Sequence, residues 1–137
     1  SSIDEKIIFP THPRTKNNLN KFGFMEKILA KSNIEFIDPV GYLDFISLMK
    51  NSSIVLTDSG GIQEETTALG VPCLTLRKNT ERPATIFEGS NKLVDSRHDV
   101  MAGIRKVSRG SNVYPVPKLW DGYASIRIAD IVKDIIS

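Results

Sequence analysis

Cysteine is almost missing: Cys73 is the only one in 137 residues. A lone cysteine excludes an internal disulfide and a multi-cysteine metal site, and it fits a reducing cytoplasm. No apolar run approaches the roughly 20 residues of a membrane span. Neither sign of charge dominates. Against 16 Asp and Glu stand 18 Lys and Arg, for a net +2, so nothing electrostatic points to nucleic acid as the main partner. Internal repeats, low-complexity segments and internal linkers are also absent. No charged-then-apolar leader opens the sequence. It starts "SSIDEK", without Met, and enters a strand-like run almost at once; a piece of a longer protein is expected. What is there is ordinary for a soluble globular chain, with 40% apolar and 25% charged residues. The length suits one domain with a real core, spanning 1–137.

The apolar pattern alternates between strand-like runs and helical spacing. "KIIFPTH" (Lys6 to His12) predicts a buried strand ending at a Pro-containing loop. Leu19, Phe22, Met25, Ile28 and Leu29 predict one helix over Asn17 to Lys31. "IEFIDPV" (Ile34 to Val40) is a second strand, and Tyr42, Phe45, Ile46 and Met49 mark a helix from Tyr42 to Lys50. "SIVLT" (Ser53 to Thr57) is apolar at consecutive positions, as a strand covered on both faces should be. A helix from about Ile62 to Leu69 follows, ended by Gly70 and Pro72. Cys73 to Arg77 and Asn91 to Asp95 read as strands around a helix near Pro83 to Glu88. Val100, Ile104 and Val107 suggest another helix. "GSNVYPVP" is a loop, and Asp121 to Ile136 a last helix with Ile128, Ile131, Val132 and Ile135 on one face. Trp120 and Asp121 read as packing and a helix cap. Strands alternating with helices through short connections mean βαβ units, a parallel sheet and helices on both faces. Ligands bind such sheets at the carboxyl ends of the strands.

That rule draws the eye to "TDSGGIQEE", Thr57 to Glu65. A helix start leaves free N–H groups and a partial positive charge, both suited to phosphate. Gly60 and Gly61 let the backbone come close and take φ > 0. Ser59 can donate its hydroxyl to a phosphate or simply cap the helix. The stretch is neither a Walker loop, since no Gly-Lys-Ser/Thr follows, nor a dinucleotide fingerprint, since the third glycine is missing. Glu64 and Glu65 have two readings as well. Acids in a first helical turn stabilise it through the dipole by roughly 0.3–1 kcal/mol; alternatively, one of them faces the ligand and accepts hydrogen bonds from a ribose diol. A nucleoside diphosphate satisfies every piece.

"LTDSGGIQEETTALGVPCLTLRKNTERPATIFEGSNKLV" resembles the UDP-binding core of the nonhydrolysing UDP-N-acetylglucosamine 2-epimerases, as do "YLDFISLMKNSSIVLTDSGG", "DGYASIRIADIV" and "HPRT". The resemblance covers nearly the whole chain but only the carboxyl-terminal half of the family's protein. It implies a Rossmann-like, doubly wound α/β domain, one half of a glycosyltransferase-B-type architecture with UDP-sugar in the cleft between domains. Phe45 then matches an aromatic residue near the uracil. Ser59, Gly60 and Gly61 match the diphosphate turn, Glu65 the acid on the ribose, and Arg82, in "TERP", an arginine lining the nucleotide site. Gln63, Glu64 and Glu81 belong to the motif without an assigned role, Glu81 standing beside Arg82 as a plain ion-pair partner. His12 and Arg14 match a region facing the cleft, although "THPRT" departs from the "VHLNP" type of many bacterial members. The implied activity interconverts UDP-GlcNAc and UDP-ManNAc by eliminating and re-adding UDP. The acids and bases that move the C2 proton lie largely in the absent amino-terminal domain, and no metal or redox cofactor is implied. The expected partners are UDP, UDP-GlcNAc, that domain and a second copy in a homodimer, in the cytoplasm, with no nucleic acid and no membrane. Two other classes share the pattern: the donor-binding domain of a glycosyltransferase, and a noncatalytic nucleotide-sugar-binding module.

Overall fold

The computed structural model describes residues 3–108 and 114–136; the first four residues of the expected "GSNVYPVP" loop lie outside them. Two compact units divide between Phe45 and Ile46.

The first unit holds one βαβ arrangement. β1 (Ile7–Pro10) pairs in parallel with β2 (Ile34–Ile37), from Ile7 opposite Ile34 to Pro10 opposite Ile37. Phe9 and Phe36 stack across the ladder with ring centres 5.4 Å apart. Asn33 Nδ2 donates to the carbonyls of Ile3 (2.7 Å) and Glu5 (3.0 Å), tying the two strand entries together. The single helix expected over Asn17 to Lys31 is two: α1 (Pro13–Lys21) and α2 (Met25–Leu29). The break is at Gly23, whose φ of +67° is left-handed. There Gly23 N–H donates to Asn20 O and Phe24 N–H to Leu19 O, the paired bonds of a Schellman ending. The apolar spacing runs on across the break, which is why it read as one helix. α1 also starts earlier than expected, because His12 caps it and Pro13 fits its first turn. The boundary between units falls within α3 (Tyr42–Lys50), whose limits match the prediction.

The second unit contains β3 (Val55–Thr57), α4 (Gly60–Leu69), β4 (Cys73–Leu76), α5 (Pro83–Phe87), β5 (Asn91–Val94), α6 (Arg97–Ser108) and α7 (Ala124–Ile136). The strands form a parallel ladder in the order β3-β4-β5. The expected five strands are thus present and parallel, hydrogen-bonded as two ladders. β4 is central and buried from Cys73 to Thr75. Cys73 is 1% exposed, and burial pushes its thiol pKa up. β3 is not covered on both faces as predicted. It is an edge of its ladder, and Leu56 is 44% exposed.

The core mixes Met49, Val71, Leu74, Val94 and Ile104 with polar side chains, among them Gln63, Thr66, Thr67, Thr75 and Thr85 at 0% exposure. Thr66 and Thr67 hydroxyls donate to carbonyls one turn back in α4, which lets hydroxyls enter a packed core at little cost. Gly89 closes the unit tightly. A Cβ there would sit 2.6 Å from the Thr85 carbonyl oxygen and 2.5 Å from Thr67 Cγ2. The apolar face of α7 stays open among the described residues, with Ile128, Ile131, Val132 and Ile135 all exposed. α7 starts three residues later than predicted; Asp121 braces its entry, accepting from Tyr123 N–H (3.0 Å) and both terminal nitrogens of Arg127 (2.8 and 3.0 Å). No helix among the described residues is long and apolar enough to cross a membrane.

Candidate functional site

β3 ends at Thr57, whose hydroxyl accepts the Ser59 N–H (3.0 Å) and turns the chain into α4. Ser59 is the extended N-cap residue (φ −80°, ψ 134°), yet its side chain makes no capping hydrogen bond. Both the Ser59 hydroxyl and the N–H groups of the first turn are therefore left for another partner. Gly60 and Gly61 open the helix itself, two residues before the predicted start, and neither has a positive φ. The conformational freedom expected of them is unused, because a helical N-terminus needs none. What they supply is space. A Cβ on Gly61 would meet nothing within 4 Å, and one on Gly60 would lie 3.8 Å from Arg82 Cζ.

Arg82 comes to this spot from the loop before α5. Its Nε lies 2.9 Å from Glu64 Oε2, but without the alignment of a hydrogen bond, so the contact is an ion pair of partly exposed groups. Glu81, its sequence neighbour, is the minor partner at 3.9 Å with a side chain 90% exposed. Because α4 begins at Gly60, Glu64 and Glu65 fall in its second turn and no acid occupies the first. The dipole reading of these two acids loses its basis, since the effect fades beyond the first turn. Glu65 is half-buried, and its carboxylate has no hydrogen bond or ion pair among the described residues.

Beneath the site lies a group of buried polar side chains that sequence reasoning left without a role. Gln63 Nε2 donates to the Ser59 carbonyl (3.2 Å), and its Oε1 accepts from Thr80 Oγ1 (2.6 Å) and Asn91 Nδ2 (3.1 Å). Thr80 Oγ1 accepts the Arg82 N–H (3.1 Å), and Thr85 Oγ1 donates to the Arg82 carbonyl (2.7 Å). Asn91 Nδ2 also donates to Thr85 Oγ1 (3.2 Å), while its Oδ1 accepts from Thr75 (2.7 Å). The signal was present in the sequence: Gln63, Thr66 and Thr67 sit at i, i+3 and i+4, a polar stripe at helical spacing on the buried face.

The structure thus brings Ser59, Gly60, Gly61, Glu64, Glu65 and Arg82 to the two ends where α4 and α5 begin. The other predicted residues belong to the first unit. His12 is the N-cap of α1, its Nδ1 accepting the Arg14 N–H at 3.3 Å. Arg14 is exposed, and Phe45 is half-buried in α3. No group of three or more His, Cys, Asp or Glu among the described residues could hold a metal ion.

The sequence profile described as UDP-N-acetylglucosamine 2-epimerase matches residues 1–133. The chain belongs to this family. A UDP-N-acetylglucosamine 2-epimerase of Methanococcus maripaludis is 43% identical over 130 residues, covering 94% of the chain and 35% of the relative. A UDP-2,3-diacetamido-2,3-dideoxy-D-glucuronate 2-epimerase of Pseudomonas aeruginosa is 38% identical over the same shares. The crystal structure of the Methanocaldococcus jannaschii UDP-GlcNAc 2-epimerase in complex with UDP-GlcNAc and UDP matches with a TM-score of 0.82 and 42% identity, over 95% of the chain and 36% of that protein. The chain therefore spans little more than a third of the length of these relatives. The α/β class expected from the sequence, with parallel strands flanked by helices, is shared with the solved epimerases.

Proposed function

We propose that the chain is the UDP-binding domain of an enzyme that interconverts UDP-GlcNAc and UDP-ManNAc. One observation carries the reading: the Arg82 guanidinium sits beside the bare Gly60 at the start of α4, next to an uncapped Ser59 hydroxyl and free N–H groups. These are donors converging on one place, as a diphosphate requires. Glu65 is the acceptor for the ribose hydroxyls, and Phe45 lies against the uracil. His12 spends Nδ1 on its helix cap, which leaves Nε2, with the exposed Arg14, for the interdomain cleft.

The proton at C2 of the sugar is not acidic, so the reaction runs through elimination. The diphosphate leaves, a 2-acetamidoglucal forms, and UDP returns after the proton has been delivered to the other face. Donors fixed on the diphosphate stabilise charge that grows as the bond to C1 breaks, which makes this site part of catalysis. The amino-terminal domain of the longer protein supplies the acid and base, and the full enzyme is a cytoplasmic homodimer. The Pseudomonas relative acts on a different sugar, which suits a division of labour in which this domain holds the nucleotide. Calorimetric titration with UDP, UDP-GlcNAc and ADP tests the binding role. UDP is expected to bind at least tenfold tighter than ADP, and equal affinities would overturn the reading. A product assay on the full-length protein separates epimerase from glycosyltransferase, because only the first makes UDP-ManNAc without an acceptor.

A further inference from the structure

The hydrogen bonds under the site close into a ring. Gln63 Oε1 accepts from Thr80 and from Asn91; Thr80 accepts from the Arg82 backbone; Thr85 donates to the same residue's carbonyl and accepts from Asn91. The ring grips Arg82 at both its N–H and its C=O, and through Gln63 Nε2 it also holds the Ser59 carbonyl at the start of α4. Gln63, Thr85 and Asn91 are buried, at 0%, 0% and 5% exposure. A fully satisfied buried network of this kind fixes one geometry, because any displacement strands a polar atom away from water. The Arg82 backbone adopts φ −122° and ψ 58° between these two bonds, and from there its side chain reaches Glu64 and Gly60.

We propose that this ring is a positioning device: Gln63, Thr80, Thr85 and Asn91 set the affinity for the diphosphate by holding Arg82 against the start of α4, without touching the ligand. The inference rests on the diphosphate reading of the site. Thr80 is the link to cut, since its hydroxyl alone joins Gln63 to the Arg82 N–H and it lies at the edge of the core. In the full-length protein, calorimetry with UDP and with uridine is compared for Thr80→Val, Thr80→Ser, Arg82→Ala and the double variant Thr80→Val with Arg82→Ala. Thr80→Val is expected to weaken UDP at least fivefold and uridine less than twofold. Thr80→Ser, which keeps the hydroxyl, should stay within threefold of wild type. In the Arg82→Ala background, Thr80→Val should add less than twofold, since its effect passes through that arginine. If Thr80→Val fails to fold, Thr80→Ala removes the same hydroxyl without bulk and is read in the same way. Equal losses for UDP and uridine, or full additivity in the double variant, would show a merely structural hydroxyl. A UDP affinity unchanged by Thr80→Val but lowered by Arg82→Ala overturns the positioning role alone. A UDP affinity unchanged by Arg82→Ala overturns the reading of the site itself.

Discussion

Glu64 and Glu65 are neighbours in sequence with different expected consequences. Residues next to each other on a helix point about 100° apart, and Glu64 is turned to Arg82 at 2.9 Å. Glu65→Ala is expected to lower UDP affinity by at least about tenfold, the loss of roughly one hydrogen bond to a charged acceptor at ~1.5–3 kcal/mol. It should also erase the preference for UDP over 2′,3′-dideoxy-UDP. Glu64→Ala releases Arg82 from a competing carboxylate but also frees its long side chain. Each effect is of the order of 1 kcal/mol at an exposed site, so UDP affinity should move by less than about fivefold. Calorimetry on the three proteins decides; a more damaging Glu64→Ala sinks the ribose role of Glu65. Arg82→Ala should cost UDP one to two decades and uridine far less, as a phosphate contact implies. At this scale the sequence told which residue types gather, but not who pairs with whom. Glu81 stands beside Arg82 in the chain and Glu64 does not, yet Glu64 is the closer partner. That pairing exists only once α4 and the loop before α5 have folded together.

Elements were legible where the apolar period and its punctuation agreed. α3 matched its predicted limits, and Gly70, left-handed with φ +68°, ended α4 as expected. Where the period ran through a stop, as at Gly23, the stop was missed. Packing between elements left no such trace, and Gly89 shows why: its lack of a side chain matters only because α4 and α5 converge on it. Gly89→Ala would drive a methyl into backbone, and overpacking of this kind costs typically ~1–3 kcal/mol. A fall in melting temperature of about 3–10 °C should follow; an unchanged melt would mean that α5 yields freely. The entry to α7 gives a pH prediction. The bonds from Arg127, and then the Tyr123 N–H, hold the Asp121 carboxyl at about 2, below its ordinary 3.8. A depressed carboxylate contributes fully above the unfolded value and loses that contribution as pH falls through the folded one. An NMR titration should place the Asp121 midpoint near 2, and Arg127→Ala should raise it toward the ordinary 3.8, the Tyr123 N–H still holding it somewhat below. A midpoint near 4 in the unaltered protein would deny the bridge.

At the scale of the whole molecule, the sequence pointed to a half rather than a whole, and the relatives, about a third of whose length the chain covers, agree with a partial span. The proposed acid and base lie outside these residues, so the segment alone is expected to bind UDP and to form no UDP-ManNAc from UDP-GlcNAc by HPLC. Turnover by the segment would place the catalytic groups within it. The sequence reading of 1–137 as one domain carries a second expectation, a single cooperative transition in which probes in both units coincide. Two separated transitions would make the units independent folding bodies.

The burial of Cys73 on the central strand turns the chain into its own stopwatch. Only a thiolate in contact with solvent can be alkylated, and the only thiol here is 1% exposed with a raised pKa. Capture by iodoacetamide must wait for the β3-β4-β5 ladder to part, so the labelling rate counts those openings. Any ligand that binds only the closed form lowers that count in proportion to its occupancy. Free UDP at about one hundred times its dissociation constant should slow labelling roughly a hundredfold. The affinity of the nucleotide site can thus be timed from within the protein, without following any reaction.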